Sequence, residues 1–296
     1  MTASATPART DAQLATLLPH PAADANKYTR GKLYLVAGAA PYPGAARLAG
    51  TAAERTGAGY VELFCAGKSL LAVRCGSPSL VTRDWRTWHP ARLEPPREGH
   101  PWACVIGCGF DASPALMELL AETVRAFPAP LLVDGGALGL LAGETGLRLA
   151  AERAASSEAA PLVLTPHGGE AARLARAAGL HDAPDAPELA AALAKAYHAL
   201  CVLKGPRTFI ADASGAVELA RRGTPALAKA GTGDVLAGII GALLAQGLAP
   251  RDAAALGCAL HAEAGRAAAD ALTDICTTAE DVIAFLPAAV RAIAGA

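Results

Sequence analysis

Residues 228–247 read AKAGTGDVLAGIIGALLAQG, a glycine turn and one aspartate running straight into a long apolar stretch. The stretch is shorter than the roughly 18 residues of a membrane-spanning helix and carries Gln246, so it reads as a buried helix. The first N–H groups of a helix have no partner within it and carry partial positive charge. Gly231, Thr232 and Gly233 therefore form a candidate anion hole that a phosphate can approach closely. Asp234 in that first turn has two readings. It caps the helix, or it is a general base that takes a proton from a hydroxyl while the N–H groups hold the developing negative charge.

Upstream, strand-like and helix-like runs alternate. Apolar strands are predicted over 32–38, 60–65, 102–109, 130–136, 161–167 and 201–205. Helical spacing follows several of them, in GAARLAGTAAERTG, PALMELLAETVRAF and GGEAARLARAAG, and again from Ala186 to Leu200. TFIADA and AVELA read as a hairpin, and almost everything after Gly231 as helix, broken near Gly247–Pro250. Short continuous apolar strands between helices predict an α/β fold with a mainly parallel central sheet covered on both faces. The polar and glycine-rich tripeptides fall at the strands' carboxyl ends, where such sheets bind ligands. Residues 82–101, rich in proline and charge, read as a loop at an edge or subunit contact. Residues 1–25 read as a loosely ordered extension before one domain over 26–296.

Composition narrows the function classes. Lys plus Arg is 26 against 27 for Asp plus Glu, a net charge of -1, which gives no global attraction to nucleic acid or an anionic membrane. Seven cysteines lie scattered with no C-x-x-C, pointing to a reduced, cytoplasmic chain without zinc. No apolar signal segment opens the sequence.

Three further motifs sit at predicted strand ends. Lys204-Gly205-Pro206-Arg207-Thr208 offers a lysine, a turn and a hydroxyl for phosphates or ribose; a plain hairpin turn looks the same, and no Walker A motif is present. Thr165-Pro166-His167-Gly168-Gly169-Glu170 places His167 toward substrate and Glu170 toward a metal-bound water, or starts a helix. Asp134 joins that metal network or caps a turn; Mg²⁺ takes few protein ligands and keeps several waters. Tyr42-Pro43-Gly44-Ala45-Ala46 opens a helix with residues small enough to admit a bulky ligand, or is an ordinary Pro-Gly turn.

Taken together, NKYTRGK (26–32), the Pro-Gly-Ala turn with RTGAG (55–59), GCGF (107–110), VDGGAL (133–138), LTPHGGE (164–170), VLKGPRT (202–208) and AKAGTGDVLAGII (228–240) resemble the ADP/ATP-dependent NAD(P)H-hydrate dehydratases of the ribokinase-like superfamily. The resemblance implies a ribokinase-like three-layer sandwich. It implies ADP or ATP across Lys204, Gly205, Pro206, Arg207, Thr208 and Gly233, with Mg²⁺ nearby. It also implies hydrated NADH or NADPH against Ala45, Gly109, His167 and Asp234, with Asp234 as the catalytic base. The resemblance further implies a homo-oligomer, by the family's habit a tetramer, and pairing with a separate epimerase is expected because only about 25 residues precede the match. The chain departs from the family's DADAL at Gly136, where an acid is lost, and has GCGFD for GPGLG and PHGGE for PHPGE. A small-molecule kinase acting on a vitamin-precursor alcohol and a non-catalytic nucleotide-binding protein are the alternatives.

Overall fold

The computed structural model describes residues 5–180 and 185–295. Nine strands form one sheet: β1 (Lys32–Val36), β2 (Tyr60–Cys65), β3 (Val81–Asp84), β4 (Trp102–Ile106), β5 (Leu131–Val133), β6 (Leu162–Leu164), β7 (Ala199–Leu203), β8 (Phe209–Ala211) and β9 (Val217–Leu219). Their spatial order is β3-β2-β1-β4-β5-β6-β7-β8-β9. Pairing is parallel through β7, and the expected hairpin adds β8 and β9 antiparallel.

Helices cover both faces, giving three layers. The helices are α1 (Asp11–Ala15), α2 (Pro43–Arg55), α3 (Leu70–Gly76), α4 (Pro114–Ala126), α5 (Gly136–Leu141), α6 (Glu144–Ala155), α7 (Gly168–Ala177), α8 (Ala186–Ala196), α9 (Thr232–Ala245), α10 (Pro250–Leu272) and α11 (Ala279–Ala294). Strand residues alternate between two cores, as the pleat requires. Leu33, Leu35 and Val105 face α2 and α9–α11, whereas Tyr34, Val36 and Ile106 face α4–α8. The aromatic residues gather in the second core, where Trp88 and Trp102 surround Phe127. The first relies on small residues. A β-carbon on Gly238 of α9 would stand 2.1 Å from the Ala49 carbonyl oxygen of α2, so these helices approach to backbone contact.

The strands end earlier than the apolar runs suggest, because the terminal glycines turn the chain. Gly107 (φ 116°) and Gly135 (φ 56°) leave the extended region just past β4 and β5. The helix expected through Leu200 stops sooner, since His198 (φ 48°) reverses the chain into β7. β3 overlaps the start of the segment read as a loop; as a partly exposed edge strand it lacks an apolar run. The N-terminal segment also differs from expectation. Thr6 bonds to both Val217 and Leu219 of β9, Arg9 pairs with Glu218 and Asp252, and Leu14 of α1 is buried. Residues 1–4 of that segment lie outside the described residues. No helix among the described residues is long and apolar enough to cross a membrane.

The chain runs from β1 outward to β3, then returns to β4 on the other side of β1 and continues to β9. The switch of direction lies between β1 and β4, and in open α/β sheets ligands bind outside the strand ends at that point.

Gly238→Ala should cost about 1–3 kcal/mol, the usual penalty for overpacking a filled contact. A lowered midpoint in urea denaturation, with the fold retained by circular dichroism, is the expected result; an unchanged midpoint would mean that α2 yields freely.

Candidate active site

The loops after β1 and β4 are stitched together across the switch point. Gly38 N–H donates to the Cys108 carbonyl and Ala39 N–H to the Gly109 carbonyl, each at 2.9 Å. A β-carbon on Gly109 would lie 2.7 Å from that of Ala45, so the first turn of α2 and the β4 loop form one floor.

The N-terminus of α9 points at this floor. Gly231 precedes the helix in the left-handed region (φ 91°) and no side chain caps it. The Thr232 hydroxyl turns inward to the Leu227 and Lys229 carbonyls at 2.7 and 2.9 Å. Its N–H also faces Lys229, at 3.4 Å. Thr232 thus braces the turn, while the Gly233 and Asp234 N–H groups have no acceptor among the described residues.

Three carboxylates surround one ammonium. Lys204, at the end of β7, reaches Asp134 at the end of β5 with Nζ–Oδ1 at 2.9 Å. The same Oδ1 accepts the Thr165 hydroxyl at 2.6 Å. A β-carbon on Gly233 would stand 3.3 Å from Lys204 Nζ, so the lysine touches the glycine turn as well. Burial would lower the Lys204 ammonium, but Asp134 and Glu170 outweigh it and hold the group above its ordinary value. Burial, reinforced by Asp134 and opposed by Lys204, pushes Asp234 up to about 6. Glu170 also rises through burial, with Lys204 opposing.

His167 and Glu170 form a reciprocal cap at the start of α7. His167 N–H donates to Glu170 Oε2 at 2.9 Å, and Gly169 N–H donates to His167 Nδ1 at 3.0 Å. With Nδ1 accepting, the ring proton sits on Nε2, 3.5 Å from Glu170 Oε1. Pro166 accepts the Lys204 N–H at 2.8 Å, which brings this turn beside the 204–208 loop. Gly205, Pro206 and Arg207 are exposed, Arg207 lying over the Phe209 ring at 5.4 Å, and Thr208 is half-buried. Asp134 and Glu170 already accept protein hydrogen bonds, so a divalent cation would meet them best through its waters.

Two residues escaped the motif reading. Cys108 Sγ lies against Asp134 Oδ2 at 3.8 Å, and its sulfur and both the Asp134 and Asp234 carboxylates fall within 4.8 Å of one another. Burial raises the thiol well above its usual range, with both aspartates adding, so it stays protonated beside them. Its only sequence signal was its place between the two glycines of the β4 loop. His261 of α10 is buried behind Thr232, pushed down to about 4 by burial and therefore neutral, with Nε2 unpartnered among the described residues. A lone histidine in an apolar helix gave no signal.

The lost acid at Gly136 has a steric counterpart. A β-carbon there would stand 2.2 Å from the Phe110 carbonyl oxygen, because the β4 loop folds down onto the start of α5. A carboxylate side chain has no room at that position in this chain.

Fold and site together define a ribokinase-like α/β protein. The chain belongs to the NAD(P)H-hydrate dehydratase family, whose model matches residues 33–287. It is 36% identical over 281 residues to the bifunctional NAD(P)H-hydrate repair enzyme Nnr of Moorella thermoacetica, covering 93% of this chain and 52% of that protein. It is 32% identical to the ADP-dependent (S)-NAD(P)H-hydrate dehydratase of Xanthomonas campestris pv. campestris, covering 84% of each. Among solved structures, the ADP/ATP-dependent NAD(P)H-hydrate dehydratase of Bacillus subtilis, co-crystallised with ATP/Mg²⁺, superposes with a TM-score of 0.80 at 28% identity, covering 97% of this chain and 98% of that one. The chain spans about half the length of the curated bifunctional relatives it matches.

The raised Asp234 carboxyl carries a stability consequence. A group whose folded pKa is raised favours the fold below its unfolded pKa, near 4, and that favour is lost as pH rises through about 6. Asp234→Asn, which cannot ionise, should therefore stabilise the protein by about 1–3 kcal/mol at pH 8. The gain should fade between pH 6 and pH 4. Thermal midpoints of both proteins at pH 8 and pH 4 measure it, and equal midpoints at pH 8 would show that the carboxylate is not strained.

Proposed function

We propose that the chain dehydrates the 6-hydroxylated forms of NADH and NADPH, regenerating the reduced nucleotides, with ADP or ATP as phosphoryl donor and Mg²⁺ present. The carrying observation is Asp234 itself: a half-buried carboxylate raised to about 6, on the same helix turn as two N–H groups without acceptors among the described residues and close to Lys204. Family membership and the names of the Xanthomonas and Bacillus relatives support the substrate and the nucleotide.

In this reading the hydrated nicotinamide lies on the floor formed by Ala45 and Gly109, with His167 at its edge and its ring hydroxyl toward Asp234. Asp234 takes the hydroxyl proton as that oxygen bonds to the terminal phosphorus of the donor, whose own phosphate bond breaks. Gly233 and Asp234 N–H groups and Lys204 receive the negative charge that develops on the phosphoryl oxygens. The ring nitrogen lone pair then expels phosphate from C6, and loss of a proton from C5 restores the dihydropyridine. The activation is needed because hydroxide leaves poorly and phosphate well. Lys204, the exposed 205–207 turn and Thr208 hold the donor. Asp134 and Glu170 would hold hydrated Mg²⁺, which supplies charge neutralisation on the phosphates when bound.

The S form named for the Xanthomonas relative is the expected epimer, and the bifunctional relatives support functional pairing with an epimerase. A homo-oligomer, a tetramer by the family's habit, belongs to the same proposal. So does a cytoplasmic location, for which seven free cysteines speak.

Incubation with hydrated NADH, ADP or ATP and Mg²⁺ should generate reduced-nicotinamide absorbance and free phosphate together. A phosphorylated product retained in solution would instead indicate a kinase. Turnover should decline as pH drops through about 6. Asp234→Asn should lower it about 10²–10⁴-fold, the usual loss on removing a general base. Near-normal turnover in that variant would leave Asp234 as no more than a helix cap.

A further inference from the structure

A cavity of about 270 Å³ opens on the same rim between the ends of β1–β4 and α4. Ala39 and Ala40 follow β1, Ala66 follows β2, Trp85 follows β3 and Asp111 follows β4, and all five line it. It shares its loops with the floor already described. Asp111 lies two residues beyond Gly109, and Ala40 lies two before Tyr42, whose carbonyl oxygen would be 2.9 Å from a β-carbon on Gly109. The cavity is smaller than the roughly 300–1,000 Å³ of sites for drug-sized ligands, so it suits one base and its ribose.

Its chemistry asks for a donor and a flat ring. Asp111 Oδ1 is buried and has no hydrogen-bond partner among the described residues. A buried acceptor left unpaired costs about 1–3 kcal/mol, more when charged. Trp85 stands edge-on to Phe110, with centroids 5.8 Å apart at 81°, which fixes the indole as an aromatic wall. Alanines 39, 40 and 66 add little bulk to the lining. The substrate of the proposed dehydratase has two nucleoside halves, and only one of them reacts. The other must lie within a pyrophosphate's reach of the Ala45–Gly109 floor.

We propose that this cavity seats the unreacted purine nucleoside of the hydrated dinucleotide, its base against Trp85 and an exocyclic amine or ribose hydroxyl donating to Asp111. The assignment rests on the dehydratase reading, so the test separates the two. Steady-state kinetics would compare hydrated NADH with hydrated reduced nicotinamide mononucleotide, which lacks the purine nucleoside. Wild type should favour the dinucleotide in kcat/KM. Asp111→Leu removes the acceptor, and Ala115→Phe fills the cavity from an exposed position on α4, which keeps the test intact should Asp111→Leu fail to fold. Each should cut the dinucleotide-to-mononucleotide ratio about tenfold or more, the loss expected for one charge-assisted hydrogen bond. The change should be seen mainly in KM. Equal kcat/KM for the two hydrates in wild type, or an unchanged ratio in the folded variants, would overturn the cavity assignment and leave the dehydratase reading standing. No turnover of hydrated NADH by wild type would overturn both.

Discussion

The ion pair between Lys204 and Asp134 holds the rim together. It joins the ends of β7 and β5 across the intervening β6, in a crevice that also contains Glu170 and Asp234. Three carboxylates could not stay ionised so close together in a poorly hydrated pocket without a cation among them. One ammonium against three acids leaves an excess of negative charge. Burial first, and that excess after it, raise the Asp234 and Glu170 carboxyls; the charge is what a divalent cation or a second lysine would relieve. Asp134, with Thr165 and Lys204 already bonded to it, is the fixed member of the group; Asp234, on a helix end, is the responsive one.

That responsiveness depends on how α9 is packed. Its interior residues are buried almost all round, and Gly238 lets it lie against the backbone of α2. The helix is held along its length by contacts with no polar demand, so its first turn can be left with unpaired N–H groups facing the crevice. The inward bonds of Thr232 serve the same end, tying the turn to residues 227–229 rather than to anything a ligand would touch.

Much of this was legible in the sequence, and the limits are instructive. The parallel sheet announced itself through short apolar runs ending in glycine, and Asp134, Glu170, Lys204 and Asp234 were each visible as polar residues at strand or helix ends. Their convergence on one another was not visible, because it depends on strand order, and a local pattern carries no information about which strands become neighbours. Cys108 illustrates the gap. As one cysteine among seven it looked structural, and only the folding of the β4 loop over the end of β5 sets it between two aspartates. Gly136 read as a missing acid; the structure adds that the Phe110 carbonyl occupies the space such a side chain would need. The edge strand β3 and the bonded N-terminal segment were missed for a common reason: both owe their order to partners far away in the chain, not to their own periodicity.

The N-terminal segment matters beyond its own order. By pairing with β9, Thr6 covers part of the last strand of the sheet, and Arg9 clamps it through Glu218 of that strand and Asp252 of α10. An uncovered sheet edge offers its peptide groups to any other extended chain. Those first residues thus work as a guard against aggregation, and trimming the protein back to Asn26 for crystallisation or expression would trade a neater boundary for a stickier one.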